Sequence, residues 1–179
     1  MMAPVLDPGS YLAVRVAVAE IFTVAALGKL RAPARFAETL REYRLLPGWA
    51  VLPTSRALPV MEIVVAAGLA IPLGKPWPAL GAAGLLLLFA AAMAANLARG
   101  RGTIDCGCAM GAGRVHRLRW AFVARNVAAA SLLALPATGR AGPGDAILGV
   151  LGGVAVFIVL QAANTLWSLP APAFSARAS

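Results

Sequence analysis

Five apolar runs, at residues 11–27, 57–73, 78–98, 120–135 and 146–167, constrain this chain more than any other feature. A bilayer's hydrocarbon core takes about 20 apolar residues per helix, with a range of roughly 17 to 25. The composition agrees: 60% of residues are hydrophobic, only 13% are charged, and the mean hydropathy is +0.80. Soluble domains carry about 25% charged residues, so this chain belongs in a membrane. The expected fold is all-α, a polytopic membrane helix bundle. It has a four-helix core, a fifth C-terminal transmembrane helix and one interfacial amphipathic helix. Residues 1–170 form one integral membrane domain and residues 171–179 a loose tail. Residues 1–10 hold Asp7 and neither Lys nor Arg, so they lack the positive start of a cleavable signal peptide.

The amphipathic helix is expected between the first two spans, over residues 33–46. Phe36, Leu40 and Tyr43 recur there at helical spacing, while Arg35, Glu38, Arg41 and Glu42 fall elsewhere on the wheel. Pro47-Gly48 closes the segment.

The net charge of +9 comes from 14 arginines and two lysines against seven acidic residues. No nucleic-acid motif accompanies this excess, and the basic residues flank apolar runs, where they meet headgroups and set orientation. The first connection holds Lys29, Arg31, Arg35, Arg41, Arg44 and Arg56, and the second holds Lys75. The third holds Arg99, Arg101, Arg114, Arg117 and Arg119, and the fourth holds Arg140. The positive-inside rule then places the N-terminus outside, the first and third connections in the cytoplasm, and the C-terminus inside.

Charged groups also fall inside the spans. Glu20, Glu62 and Arg125 lie well within apolar runs, and Arg15 lies nearer an end. A charge at the centre of a membrane helix costs about 2.5–3.5 kcal/mol on insertion scales, so each is expected to face a partner. Glu20 with Arg125 is the preferred ion pair, a structural bridge in the first instance and a proton relay as the functional alternative. Asn96, Asn126, Gln161 and Asn164 are expected to hydrogen-bond between helices.

Both cysteines stand in the third connection, as Asp105-Cys106-Gly107-Cys108. A disulfide needs Cα atoms about 4.4–6.8 Å apart, so residues separated by one position must bend to bridge. Gly107 permits that bend. A small strained ring exchanges readily, which makes the pair a candidate redox-active dithiol. Arg99, Arg101 and Arg114 favour a thiolate, and Asp105 opposes it. Two other readings stand beside this one. The cysteines are small residues of a tight turn, or they join Asp105 and His116 around a metal, a set with few of the ligands that zinc favours. No metal is expected, and the absence of C-x-x-C-H excludes a c-type haem.

These residues together resemble the MauE family of methylamine utilisation proteins, within the wider DoxX-like group of membrane proteins. The resemblance runs over most of residues 11–168. It starts with Gly28-Lys29-Leu30, Phe36 and Tyr43-Arg44-Leu45-Leu46-Pro47. It continues with Leu58-Pro59 and Glu62, then Asn96-Leu97 and Arg99-Gly100-Arg101 leading to Ile104-Asp105-Cys106-Gly107-Cys108, and closes with Arg125-Asn126. Many relatives follow the second cysteine with Phe-Gly, where this chain has Ala109-Met110-Gly111.

The resemblance implies a multi-pass protein of the cell inner membrane that assists processing, transport or maturation of the periplasmic methylamine dehydrogenase light subunit. That subunit is rich in disulfides and carries a cofactor built from its own tryptophans. A thioredoxin-like protein, MauD, is associated with the same task. Cys106 and Cys108 would then be catalytic, as a membrane thiol–disulfide oxidoreductase working with MauD. A quinone is the candidate electron carrier, in a site lined by Glu62 and Arg125-Asn126. Two further functions compete. A non-catalytic scaffold recruiting MauD or the nascent subunit would tolerate loss of the cysteines but not of residues 33–46. A transporter would need flux that depends on Glu62.

Overall fold

The structure is a computed structural model, and it describes residues 6–71, 76–102, 104, 118–135 and 142–167. Its regular elements are all helices: α1 (Pro8–Arg31), α2 (Pro33–Tyr43), α3 (Gly48–Ala70), α4 (Trp77–Ala98), α5 (Trp120–Ala134) and α6 (Pro143–Trp167). Each of the five apolar runs falls on one of them. The helices α1, α3, α4 and α6 are long and apolar enough to cross a membrane. With 15 residues, α5 extends about 22 Å, less than a hydrocarbon core of about 30 Å.

Local chemistry sets the ends. Asp7 caps α1 by accepting a 2.9 Å hydrogen bond from the Ser10 N–H. Hydrogen bonds from the side chain and backbone of Ser10 hold the Asp7 carboxyl below the usual carboxylate range. Helix α3 starts at Gly48, well before the apolar run at residue 57, because Thr54, Ser55 and Arg56 continue the helix without being apolar. Pro53 and Pro59 are carried inside it. Helix α2 ends at Tyr43, where Arg44 turns into the left-handed region at φ 49° and donates its N–H to the Arg41 carbonyl. Phe36, Ala37, Thr39 and Tyr43 of α2 are buried, and Arg35, Glu38, Arg41 and Glu42 are exposed, which is the amphipathic arrangement expected.

The main core joins α1, α3, α4 and α5. Val18 and Phe22 meet Ala66 and Leu69, Ala82 and Leu86, and Ala130 and Leu133. Helix α6 lies outside this core, against α1. Glycine permits that contact: a Cβ at Gly153 would fall 2.6 Å from Val16 Cβ and 2.7 Å from the Ala13 carbonyl oxygen. A Cβ at Gly149 would fall 2.9 Å from the Gly9 oxygen. The close approach follows the small-residue rule for membrane helices. Its register, Gly9 beside Asp145 and Val16 beside Gly153, makes α1 and α6 parallel. The rest of α6, including Ile147, Leu148, Leu151 and Val159, is exposed and apolar, as a lipid-facing surface is.

Candidate functional site

The centre of the bundle is held by a buried ion pair between Lys29 of α1 and Glu62 of α3, with side chains 7% and 0% exposed. Lys29 stands in the last turn of α1. It nevertheless points inward, because Cα–Cβ bonds on a helix tilt toward its N-terminus. Its Nζ lies 5.3 Å from the ring centroids of both Phe36 and Phe89. The ammonium is therefore surrounded by one carboxylate and two π faces, contributed by α2, α3 and α4. Sequence reasoning placed Lys29 in the first connection as an orienting charge, whereas it is an interior residue. One signal was available: Phe22, Ala26 and Lys29 follow each other at spacings of four and three, the rhythm of one helix face.

On one side of this pair, Lys29, Glu62, Arg125, Asn126 and Gln161 surround a cavity of about 50 Å³. Three of the polar residues singled out in the sequence, Glu62, Arg125 and Asn126, thus come together. Asn126 is buried, and the Arg125 guanidinium lies 5.3 Å from the Phe122 ring centroid. Glu20 stays apart. It makes no ion pair with Arg125, and its Oε2 is buried without a hydrogen-bond partner. The reason is rotational: Glu20 and Lys29 are nine positions apart, two and a half turns at about 3.6 residues per turn, so they occupy opposite faces of α1.

On the other side of Lys29, a larger chamber of about 190 Å³ opens between α2, α3 and α4. Phe36, Leu40 and Tyr43 form its α2 wall, Leu58 its α3 wall, and Leu88, Phe89 and Met93 its α4 wall.

Arg15 solves a different problem. Its Nη2 donates to the Leu69 carbonyl at 2.8 Å, to that of Ile71 at 2.9 Å and to that of Gly68 at 3.3 Å. These carbonyls belong to the end of α3, where the helix has no partners of its own. A cation there also opposes the negative end of the helix dipole.

Cys106 and Cys108 lie outside the described residues, as do Asp105 and His116 of the alternative metal set. The Asn164 side chain also falls outside them. The frame of the cysteine loop is described. Helix α4 ends in a Schellman motif, with the Arg101 N–H on the Asn96 carbonyl at 2.9 Å and the Gly100 N–H on that of Leu97 at 3.0 Å. Gly100 takes φ 74°, which its missing Cβ permits. The Leu118 N–H then bonds the Ile104 carbonyl at 3.2 Å and closes the base of the loop. Leu118 packs with Tyr43, Met93 and Phe122, and Ile104 packs against the same group, so the base stands at the α2 end of the bundle. Asn96 is fully buried. Its amide donates back to Ala92 within α4, and not to a neighbouring helix. Its Oδ1, and Nη1 of Arg101, are buried without partners.

Comparison with known proteins gives a consistent picture. The family model for methylamine utilisation protein MauE matches residues 8–139. A methylamine utilization protein MauE of Paracoccus versutus is 40% identical over 170 residues, covering 92% of this chain and 91% of that protein. Those of Paracoccus denitrificans and Methylorubrum extorquens are 38% and 36% identical, covering 93% and 100% of this chain and 91% and 98% of theirs. No solved structure matches the chain.

Proposed function

This chain belongs to the MauE family of methylamine utilisation proteins, and from that premise we propose that it assists maturation of the periplasmic methylamine dehydrogenase light subunit. It does so as a multi-pass protein of the inner membrane. The observation that carries the reading is the alignment with methylamine utilization proteins over almost the whole chain, membrane helices included. The mechanism is thiol–disulfide exchange by Cys106 and Cys108 with a thioredoxin-like partner of the MauD kind. In each exchange a thiolate of the partner attacks the Cys106–Cys108 disulfide, and the partner's second cysteine resolves the mixed disulfide. Two electrons pass, so one dithiol closes as the other disulfide opens. A loop whose base is pinned between α4 and α5, beside α2, supports a pair held at one end of a rigid bundle.

The test is Cys106→Ser in a host that grows on methylamine, scored by the amount and disulfide state of the light subunit. Loss of correctly bridged subunit is the expected result. Full maturation would sink the relay and leave the scaffold reading, which the exposed charges of α2 favour as a docking face. Arg35→Ala with Arg41→Ala would then be the damaging change.

A further inference from the structure

The small cavity and the apolar chamber meet at two shared side chains, Lys29 and Phe89, and differ in what they can hold. About 50 Å³ beside Glu62, Arg125 and Asn126 has room for water but not for a ring. About 190 Å³ on the α2 side is ring-sized, since a cavity of about 150 Å³ accommodates benzene. A site for a lipophilic ring therefore lies on the opposite face of Lys29 from the one the sequence suggested.

The chamber has the character of a ligand site: apolar walls with very few polar groups to fix orientation. Its walls are Leu40, Leu58, Leu88 and Met93 with the rings of Phe36, Tyr43 and Phe89, and its charged group is Lys29. An ammonium has three N–H donors. One serves Glu62, and two aromatic faces, which are weak acceptors, flank the ammonium. A carbonyl oxygen is the better acceptor. A neutral head suits the site, because Glu62 already pairs with Lys29 and a fatty acid would bring a second carboxylate beside it. The volume is too small for a helix of another protein.

We infer that the chamber binds the ring of a membrane quinone, with a ring carbonyl accepting from the Lys29 ammonium and the hydrocarbon tail in the bilayer. Its role, though not its binding, rests on the relay reading. Tyr43, Phe89, Ala92 and Met93 line the chamber and also belong to the group that holds Ile104 and Leu118, the base of the cysteine loop. Quinone and dithiol would interconvert with quinol and disulfide. Two S–H bonds break and one S–S bond forms, and two electrons and two protons turn the ring carbonyls into hydroxyls.

The full chain in detergent micelles, titrated calorimetrically with a decyl-tailed benzoquinone, tests this. One saturable site per chain is expected. Ala92→Phe should fill the chamber and weaken binding at least about tenfold. Leu40→Trp, on the opposite wall, should do the same, so a folding failure of either variant leaves the other decisive. Cys106→Ser/Cys108→Ser should bind normally, which separates a failed relay from a failed site. Absence of a saturable site, undiminished binding by the folded variants, or a site that takes oleate in preference to quinone overturns the inference.

Discussion

Lys29, in the last turn of α1, is ion-paired with Glu62, fourteen positions into α3, across the centre of the helix bundle. Glu62 is fully buried, so neither headgroups nor bulk water can neutralise it. The pair ties the two helices, and the Phe36 ring over the ammonium extends the tie to α2.

Breaking that pair on one side takes the counter-ion from a buried charge. Lys29→Met and Glu62→Leu are each expected to lower stability, the lysine change by about 3–5 kcal/mol because it takes the counter-ion from a buried carboxylate. The double variant Lys29→Met/Glu62→Leu should recover most of the loss. Thermal unfolding of the four proteins in one detergent gives the coupling directly, and simple additivity would remove the ion pair from the account.

Arg15 serves three carbonyls from one terminal nitrogen, Nη2, a position that a shorter lysine reaches less well. Arg15→Leu should destabilise the protein by about 1.5–3 kcal/mol, the range for hydrogen bonds to a charged group. Arg15→Lys should fall between that variant and wild type. Hydrogen exchange ought to rise first in residues 67–71, at the end of α3; a uniform rise along the helix would contradict the cap.

The parallel register of α1 and α6 predicts a cross-link. A Cβ built on Gly152 lies 3.5 Å from Ala13 Cβ, at the short end of the range for disulfides of about 3.5–4.5 Å. In a background lacking the native cysteines, Ala13→Cys/Gly152→Cys should oxidise to an intrachain disulfide. Adding Gly153→Leu, which drives atoms into Val16, should abolish it. A cross-link that survives Gly153→Leu would show that α6 docks by some other face.

Orientation follows from exposed cations. Removing Lys29 from the count leaves Arg31, Arg35, Arg41, Arg44 and Arg56 exposed in or beside the first connection, with Arg99 and Arg119 at the ends of the third. The charge rule turns that end to the cytoplasm. An impermeant thiol reagent should then reach Cys106 and Cys108 only after cells are permeabilised. Labelling of intact cells, appearing only after reduction, would invert the topology and place the relay beside its periplasmic client.

What hydropathy and periodicity determined is the inventory: five apolar helices at the right places, an amphipathic α2 with Phe36 and Tyr43 inward, and a charge asymmetry between the connections. These depend on neighbours in sequence, because a helix satisfies its own backbone and the bilayer selects its length. The motif residues Gly28-Lys29-Leu30, Glu62 and Arg125-Asn126 also marked the family before any coordinates. Only the tertiary structure decided which charges meet. Glu20 and Arg125 are both deep in apolar runs, yet rotation of α1 by half a turn gives the inner place to Lys29. Arg15 finds its partners in the backbone carbonyls at the end of α3. Partner choice depends on the rotation and adjacency of packed helices, and those are set by bulk and smallness at contacts such as Val16 on Gly153, far from the charges themselves.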